Sequence, residues 1–185
     1  MNNLVTQYLA FHGEINETRA TRLITLCFEA VAKSYNEIYI AFSSTGGSVH
    51  SGIALFNFLK SIPIALTIHN LGTVDSAAVI IFLAAKRRFA CKDSHFLIHE
   101  PRLSFVPNNS FNTYQLYEFA ESLKDDKETM SNIICQHTSI TTEFLAKWFL
   151  KGEIISPPLA LELGIISEIR SLDIPASSSI ITVGT

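Results

Sequence analysis

The stretch Glu37–Leu59 reads EIYIAFSSTGGSVHSGIALFNFL, and its two ends follow different periods. Glu37–Phe42 is short, β-branched and aromatic, the composition of a buried strand. Gly52–Leu59 sets apolar residues at helical spacing, and STGGS lies between the two as a glycine-rich turn. Strand, turn and helix thus form one unit, and the unit recurs on both sides. Upstream, Gln7–Phe11 reads as a strand and Asn16–Ser34 as a helix with Ala20, Leu23, Ile24, Cys27, Phe28 and Val31 at helical spacing. Downstream, Ile64–His69 reads as a strand, NLGTVDS at 70–76 as a turn, and the apolar run Ala77–Ala85 as the start of a third helix. Arg88–Ala90 and Ser94–His99 read as further strands, followed by a polar, aromatic segment Pro101–Phe111 and a long helix from about Tyr114 to Gln136. This alternation predicts an α/β fold of repeated βαβ and β-β-α units, a mostly parallel sheet with helices on its faces.

Composition narrows the function classes. With 185 residues, 48% of them apolar, the chain suffices for one sizeable core and is too short for two ordinary domains. A net charge of −3 with no basic stripe argues against a nucleic-acid partner. Three cysteines, Cys27, Cys91 and Cys135, stand far apart with no CxxC pair, which suggests neither a disulfide framework nor a zinc site and fits a reducing cytoplasm. The first residues lack the basic and apolar regions of a signal peptide. Ala77–Ala85 is far short of the roughly 20 apolar residues that span a bilayer, so no membrane segment is expected.

In parallel sheets reactive groups gather at the carboxyl ends of strands, where turns meet helix N-termini, and both glycine-rich turns sit there. Ser76 stands just ahead of the buried helix, His99 ends the strand SHFLIH, and Gly46–Gly47 form a turn without Cβ atoms. A serine becomes a nucleophile when a base takes its proton and backbone N–H groups receive the oxyanion. Each signal alone has a plainer meaning: most serines at helix starts are caps, and most lone histidines are structural. His95 shares a strand face with His99. His12, His50, His69 and His137 lack partners at ligand spacing, so neither a metal nor another cofactor is expected.

The order of these segments resembles the ClpP family, the proteolytic subunits of Clp proteases, within the crotonase-like superfamily. FSSTGGSVHSGIALFNFL (42–59), LGTVDSAAVIIFLAA (71–85) and RRFACKDSHFLIHEP (87–101) are similar to its SPGGSV, GxxxS and IHxP segments, and the likeness extends from near Tyr8 to LALELGIISEI (159–169). The resemblance implies that Ser76 is the acylating nucleophile, His99 the general base, and the N–H groups of Gly47 and Ala77 the oxyanion hole. It implies one domain over 1–185, with a head at about 1–100 and 137–173, a projecting handle at about 101–136 and a Ser-rich tail at 174–185. It further implies a peptide or unfolded-protein substrate and a homo-oligomeric ring, heptameric or doubled, built on handle aromatics including Phe105, Phe111, Tyr114 and Tyr117.

One position departs from the family. Its third catalytic residue, an aspartate, falls on Gly152, and the adjacent Glu153 is the expected substitute if the loop shifts by a residue. Asp75 is expected in a polar-turn role. Little sequence precedes the first strand, which puts docking of an ATP-driven AAA+ unfoldase in question. Three functions follow: a serine endopeptidase, a catalytically weakened ClpP-like structural or regulatory subunit, and an acyl-CoA-acting crotonase-like enzyme, which has no need of a Ser–His pair.

Overall fold

The computed structural model describes residues 5–103 and 109–184. Three strand–helix units come first: β1 (Thr6–His12) and α1 (Glu17–Ala32), β2 (Glu37–Ser44) and α2 (Val49–Ser61), β3 (Ala65–Asp75) and α3 (Ala77–Leu83). Then follow β4 (Arg87–Ala90), β5 (His95–Ile98), the long α4 (Thr113–His137), α5 (Thr142–Lys151), β6 (Glu153–Ile155), α6 (Pro157–Glu162), β7 (Glu168–Ile169) and β8 (Ile180–Val183). The sheet runs β6-β5-β3-β2-β1-β8, with β4 also beside β3 and β7 beside β4. Among the described residues every strand pairing is parallel except β5 with β6. This is the mixed α/β architecture expected, with a mostly parallel sheet.

Helix positions follow from caps and apolar stripes. The Asn16 side chain accepts from the Arg19 N–H to start α1, whose buried residues Ala20, Leu23, Cys27 and Ala30 recur at three- and four-residue steps. Ser48 does the same for α2, and Asn112 forms a capping box with Gln115 at α4. All seven residues of α3 are buried, so that helix lies inside the molecule. Phe82 of α3 meets Phe96 of β5 edge-on at 5.1 Å, and Phe11 packs on Phe42 at 5.0 Å. Burying each ring contributes about 2–3 kcal/mol, which ties α3 firmly to the sheet.

The expected turn at 70–76 is instead strand, and β3 continues to Asp75. Residues 67–70 pair with β4, residues 73–75 pair with β5, and the register with β2 shifts between Phe42 and Ser44. Two extra residues of β3 bulge at that shift. Polar side chains at the bulge imitate ladder bonds: Asn70 Nδ2 donates to the His95 carbonyl at 2.8 Å, and Asn70 Oδ1 accepts from the Gly72 N–H at 3.0 Å. These residues read as a turn because they are polar and include glycine, yet their polarity serves the change of strand partner. The Ser-rich tail likewise supplies β8, which pairs with β1 and buries Val183.

Buried polar groups fix the sheet's other end. The Arg87–Glu37 ion pair and the Thr67 hydroxyl, which donates to Glu37 Oε1 at 2.6 Å, satisfy a carboxylate between β2, β3 and β4. Arg88 donates to the carbonyls of Ala85, Gly164 and His137, which ties together three chain ends. His69 accepts from the Tyr39 hydroxyl at 2.7 Å and donates to the Arg170 carbonyl at 3.0 Å, and burial pushes its pKa below the usual histidine value. Within the expected handle, Phe111 packs on Phe119 at 5.2 Å while Tyr114 and Tyr117 are exposed. Phe105 lies outside the described residues.

Candidate active site

At the carboxyl ends of β1, β2, β3 and β5 lies a cavity of about 350 Å³ whose walls include Ser76 and His99. A larger depression of about 500 Å³, lined by Pro63, Ile64, Lys86 and Arg87, opens at the amino ends of β3 and β4. Its lining has no hydroxyl and no imidazole, so the smaller cavity is the chemically equipped one.

Ser76 joins β3 to α3 with φ 56° and ψ −126°, backbone that non-glycine residues rarely adopt. Strain of this kind costs about 1–3 kcal/mol and persists where neighbours over-determine it. Here the Ser76 N–H donates to the Leu97 carbonyl at 2.8 Å, and its own carbonyl accepts from the Val79 N–H at 3.0 Å. Gly46 presses against the junction, where an added Cβ would meet the Asp75 carbonyl oxygen at 2.7 Å and the Ser76 Cβ at 2.8 Å. Unlike the side chains of Asn16, Ser48, Asn112 and Thr141, that of Ser76 makes no capping hydrogen bond. Its hydroxyl faces a cavity instead of serving the helix.

His99 follows the last residue of β5, and its Nδ1 lies 2.7 Å from the Glu100 carbonyl oxygen. A carbonyl only accepts, so Nδ1 carries the proton and Nε2 is the basic nitrogen. Among the described residues Nε2 has no hydrogen-bond partner. Glu100 is itself pinned: its N–H donates to the Phe149 carbonyl at 3.2 Å, and its carboxylate pairs with Lys127 Nζ at 2.7 Å. Both groups of that pair are more than a third exposed, so it adds at most about 1 kcal/mol and serves chiefly to set geometry.

Two backbone donors complete the arrangement. A parallel bridge fixes Gly47 against Ile15, with the Ile15 N–H on the Gly46 carbonyl at 2.7 Å and the Ser48 N–H on the Ile15 carbonyl at 2.9 Å. At φ +142° an added Cβ on Gly47 would lie 2.2 Å from the Ile15 oxygen, so only glycine fits. Among the described residues, neither the Gly47 nor the Ala77 N–H is engaged by a protein acceptor.

The carboxylate side differs from expectation. Glu153 pairs in register with Ile98, and its carboxylate meets Lys151 Nζ at 2.7 Å; it is not brought to the His99 ring. The antiparallel register sets Gly152 across from His99, and an ideal Cβ there would stand 3.9 Å from the His99 Cβ. Neighbours along a strand point to opposite faces, so a one-residue difference decides which side chain reaches the ring. Asp75 lies within β3 with Oδ1 3.8 Å from His95 Nε2, which also meets the Thr73 hydroxyl at 3.1 Å. His95 shares the face of His99 yet does not line the cavity. Sequence reasoning missed the Glu100 carbonyl, because a backbone oxygen leaves no residue-type signal, and it missed Glu14 and Arg102, which line the same cavity.

No group of three His, Cys, Asp or Glu residues is placed to hold a metal ion among the described residues. Burial pushes the Cys27 thiol up to about 12, so it stays protonated within the core. No described helix is long and apolar enough to cross a membrane.

A family model described as Clp protease matches residues 2–172. The ATP-dependent Clp protease proteolytic subunit 2 of Treponema denticola is 30% identical over 178 residues, which cover 93% of this chain and 86% of the relative. Its counterpart in Treponema pallidum is 27% identical over 177 residues, 93% and 87% of the two chains. A solved structure of a ClpP1 mutant from Listeria monocytogenes superposes with a TM-score of 0.79 at 24% identity, over 92% of this chain and 93% of its own, a likeness of fold.

The strain at Ser76 yields a stability test. Ser76→Gly should raise the free energy of unfolding by about 1 kcal/mol, because glycine adopts this backbone without penalty. Urea denaturation measures the change, and equal or lower stability would contradict strain at this residue.

Proposed function

The chain belongs to the Clp protease family, and from that premise we propose that it is a serine endopeptidase subunit working through a Ser76 acyl-enzyme. The observation that carries the reading is that an uncapped Ser76, a His99 with its Nε2 free, and Gly47 with its N–H unengaged line one cavity. Ser76 Oγ attacks the scissile carbonyl carbon as His99 Nε2 takes its proton. The N–H groups of Gly47 and Ala77 receive the oxyanion. The tetrahedral adduct expels the amine, which leaves with the proton from His99, and water then releases the acid from Ser76 by the same sequence.

The test is covalent labelling. A fluorophosphonate probe should modify Ser76 alone, and Ser76→Ala should abolish both the label and peptide hydrolysis. Label that persists in the variant, or that maps to Ser44 or Ser48, overturns the assignment.

Gly152 favours a second reading, a subunit of reduced activity. The Glu100 carbonyl sets the His99 tautomer but lacks the full charge with which a carboxylate stabilises imidazolium. Gly152→Asp should therefore raise peptide hydrolysis about tenfold, equivalent to about 1.4 kcal/mol of transition-state stabilisation. It should also lower the melting temperature, because residue 152 has φ +74°. An unchanged or reduced rate in a folded variant would show that a charge opposite His99 is not what limits this enzyme.

Oligomerisation is the remaining element. The α4 surface exposes Tyr114, Leu116 and Tyr117, apolar area that a ring of identical subunits would bury. Sedimentation should give a mass several-fold that of one chain, and a monomer mass at all concentrations would contradict the ring.

A further inference from the structure

The cavity that holds Ser76 and His99 also carries one carboxylate and one guanidinium, Glu14 and Arg102. Both residues are exposed, and among the described residues neither charged group has an ion-pair or side-chain hydrogen-bond partner. The backbone carbonyl of Glu14 accepts from the Arg19 guanidinium at 3.1 Å, a contact that does not involve its carboxylate. Elsewhere the protein pairs charges that approach one another, as in Lys127–Glu100 and Lys151–Glu153.

Sheet order separates the two charges. Glu14 follows the carboxyl end of β1 and Arg102 follows that of β5, while β2 and β3 lie between them in the order β5-β3-β2-β1. Three strand spacings of about 4.8 Å set those ends about 14 Å apart. Glu14 leans inward, since a Cβ added to Gly47 would meet Glu14 Cγ at 2.9 Å. The charges therefore match groups about four residues apart on an extended peptide, which rises about 3.3 Å per residue. Ser76 lies at the end of β3, next to the Arg102 side, so the acidic group of such a peptide falls nearer the scissile bond than the basic one.

We propose that Glu14 and Arg102 make the cleft selective for dipolar peptides, with a basic side chain held by Glu14 and an acidic side chain or carboxylate held by Arg102 on opposite sides of the scissile bond. The proposal rests on the reading of this cavity as a peptidase cleft. Charges at a part-hydrated mouth steer and orient a ligand more than they add affinity, so discrimination should be several-fold and should weaken with salt.

Five fluorescent octapeptides with a common apolar centre test it, carrying Lys/Glu, Glu/Lys, Lys/Lys, Glu/Glu or Ala/Ala four residues apart. Binding to the Ser76→Ala protein is read by anisotropy, and cleavage by the native protein is read separately. One of the two opposite-charge orders should bind at least fivefold tighter than its reverse and than both like-charge peptides, with the margin shrinking at high salt. The doubly reversed variant, Glu14→Lys with Arg102→Glu, should transfer the preference to the reverse order. Binding of all five within twofold, or a preference that survives the double reversal, overturns the proposal. Ser76-dependent cleavage of the Ala/Ala peptide reports the peptidase reading by itself: cleavage without charge preference sinks only the selectivity, and charge preference without cleavage sinks only the chemistry.

Discussion

The hydrogen bond from the Ser76 N–H to the Leu97 carbonyl is the constraint on which the site depends. It carries the β3–β5 pairing one residue beyond Asp75–Leu97, at the point where the chain must turn into α3. Because α3 is buried along its whole length, it cannot relax outward to relieve Ser76. Because Gly46 abuts the same residue, the chain cannot relax toward β2. Packing worth several kcal/mol on each side thus outweighs a local strain of about 1–3 kcal/mol and leaves the hydroxyl turned from its helix. The same pairing sets His99, two residues past Leu97, at the edge of the same cavity.

Orientation of the imidazole comes from a different part of the chain. Glu100 is held by α5, where its N–H donates to the Phe149 carbonyl, and by α4, where its carboxylate meets Lys127, whose ammonium also lies 5.8 Å from the centre of the Phe149 ring. The long helix and the His99 ring are therefore joined through one residue, Glu100. A carbonyl dipole selects the tautomer as a carboxylate would, yet it offers a partial charge to the imidazolium in place of a full one. The missing side chain at Gly152, where a Cβ would stand 3.9 Å from the His99 Cβ, is the structural counterpart of that difference.

Much of this was legible in the residues. The strand–helix alternation predicted a mostly parallel sheet, and the glycine-rich turns marked its carboxyl edge as the place for chemistry. Ser76 and His99, 23 residues apart, were singled out by residue type and by their positions at strand ends. The polar stretch 70–76 was misread because a bulged strand that changes partners needs the same polar and glycine residues as a turn. Strands β6, β7 and β8 are each four residues or shorter, too brief for a period to declare itself.

The sequence by itself determined the order of elements, the buried helix after Ser76 and the glycines that let backbone approach closely, because these rest on local period and on the presence or absence of a Cβ. Tertiary structure alone decided that Gly152, and not Glu153, stands across from His99, that a backbone oxygen holds the imidazole, and that Glu14 and Arg102 share one cavity. Each of those facts depends on the register of strands far apart in the chain. A slip of one residue leaves composition unchanged while turning every side chain to the other face.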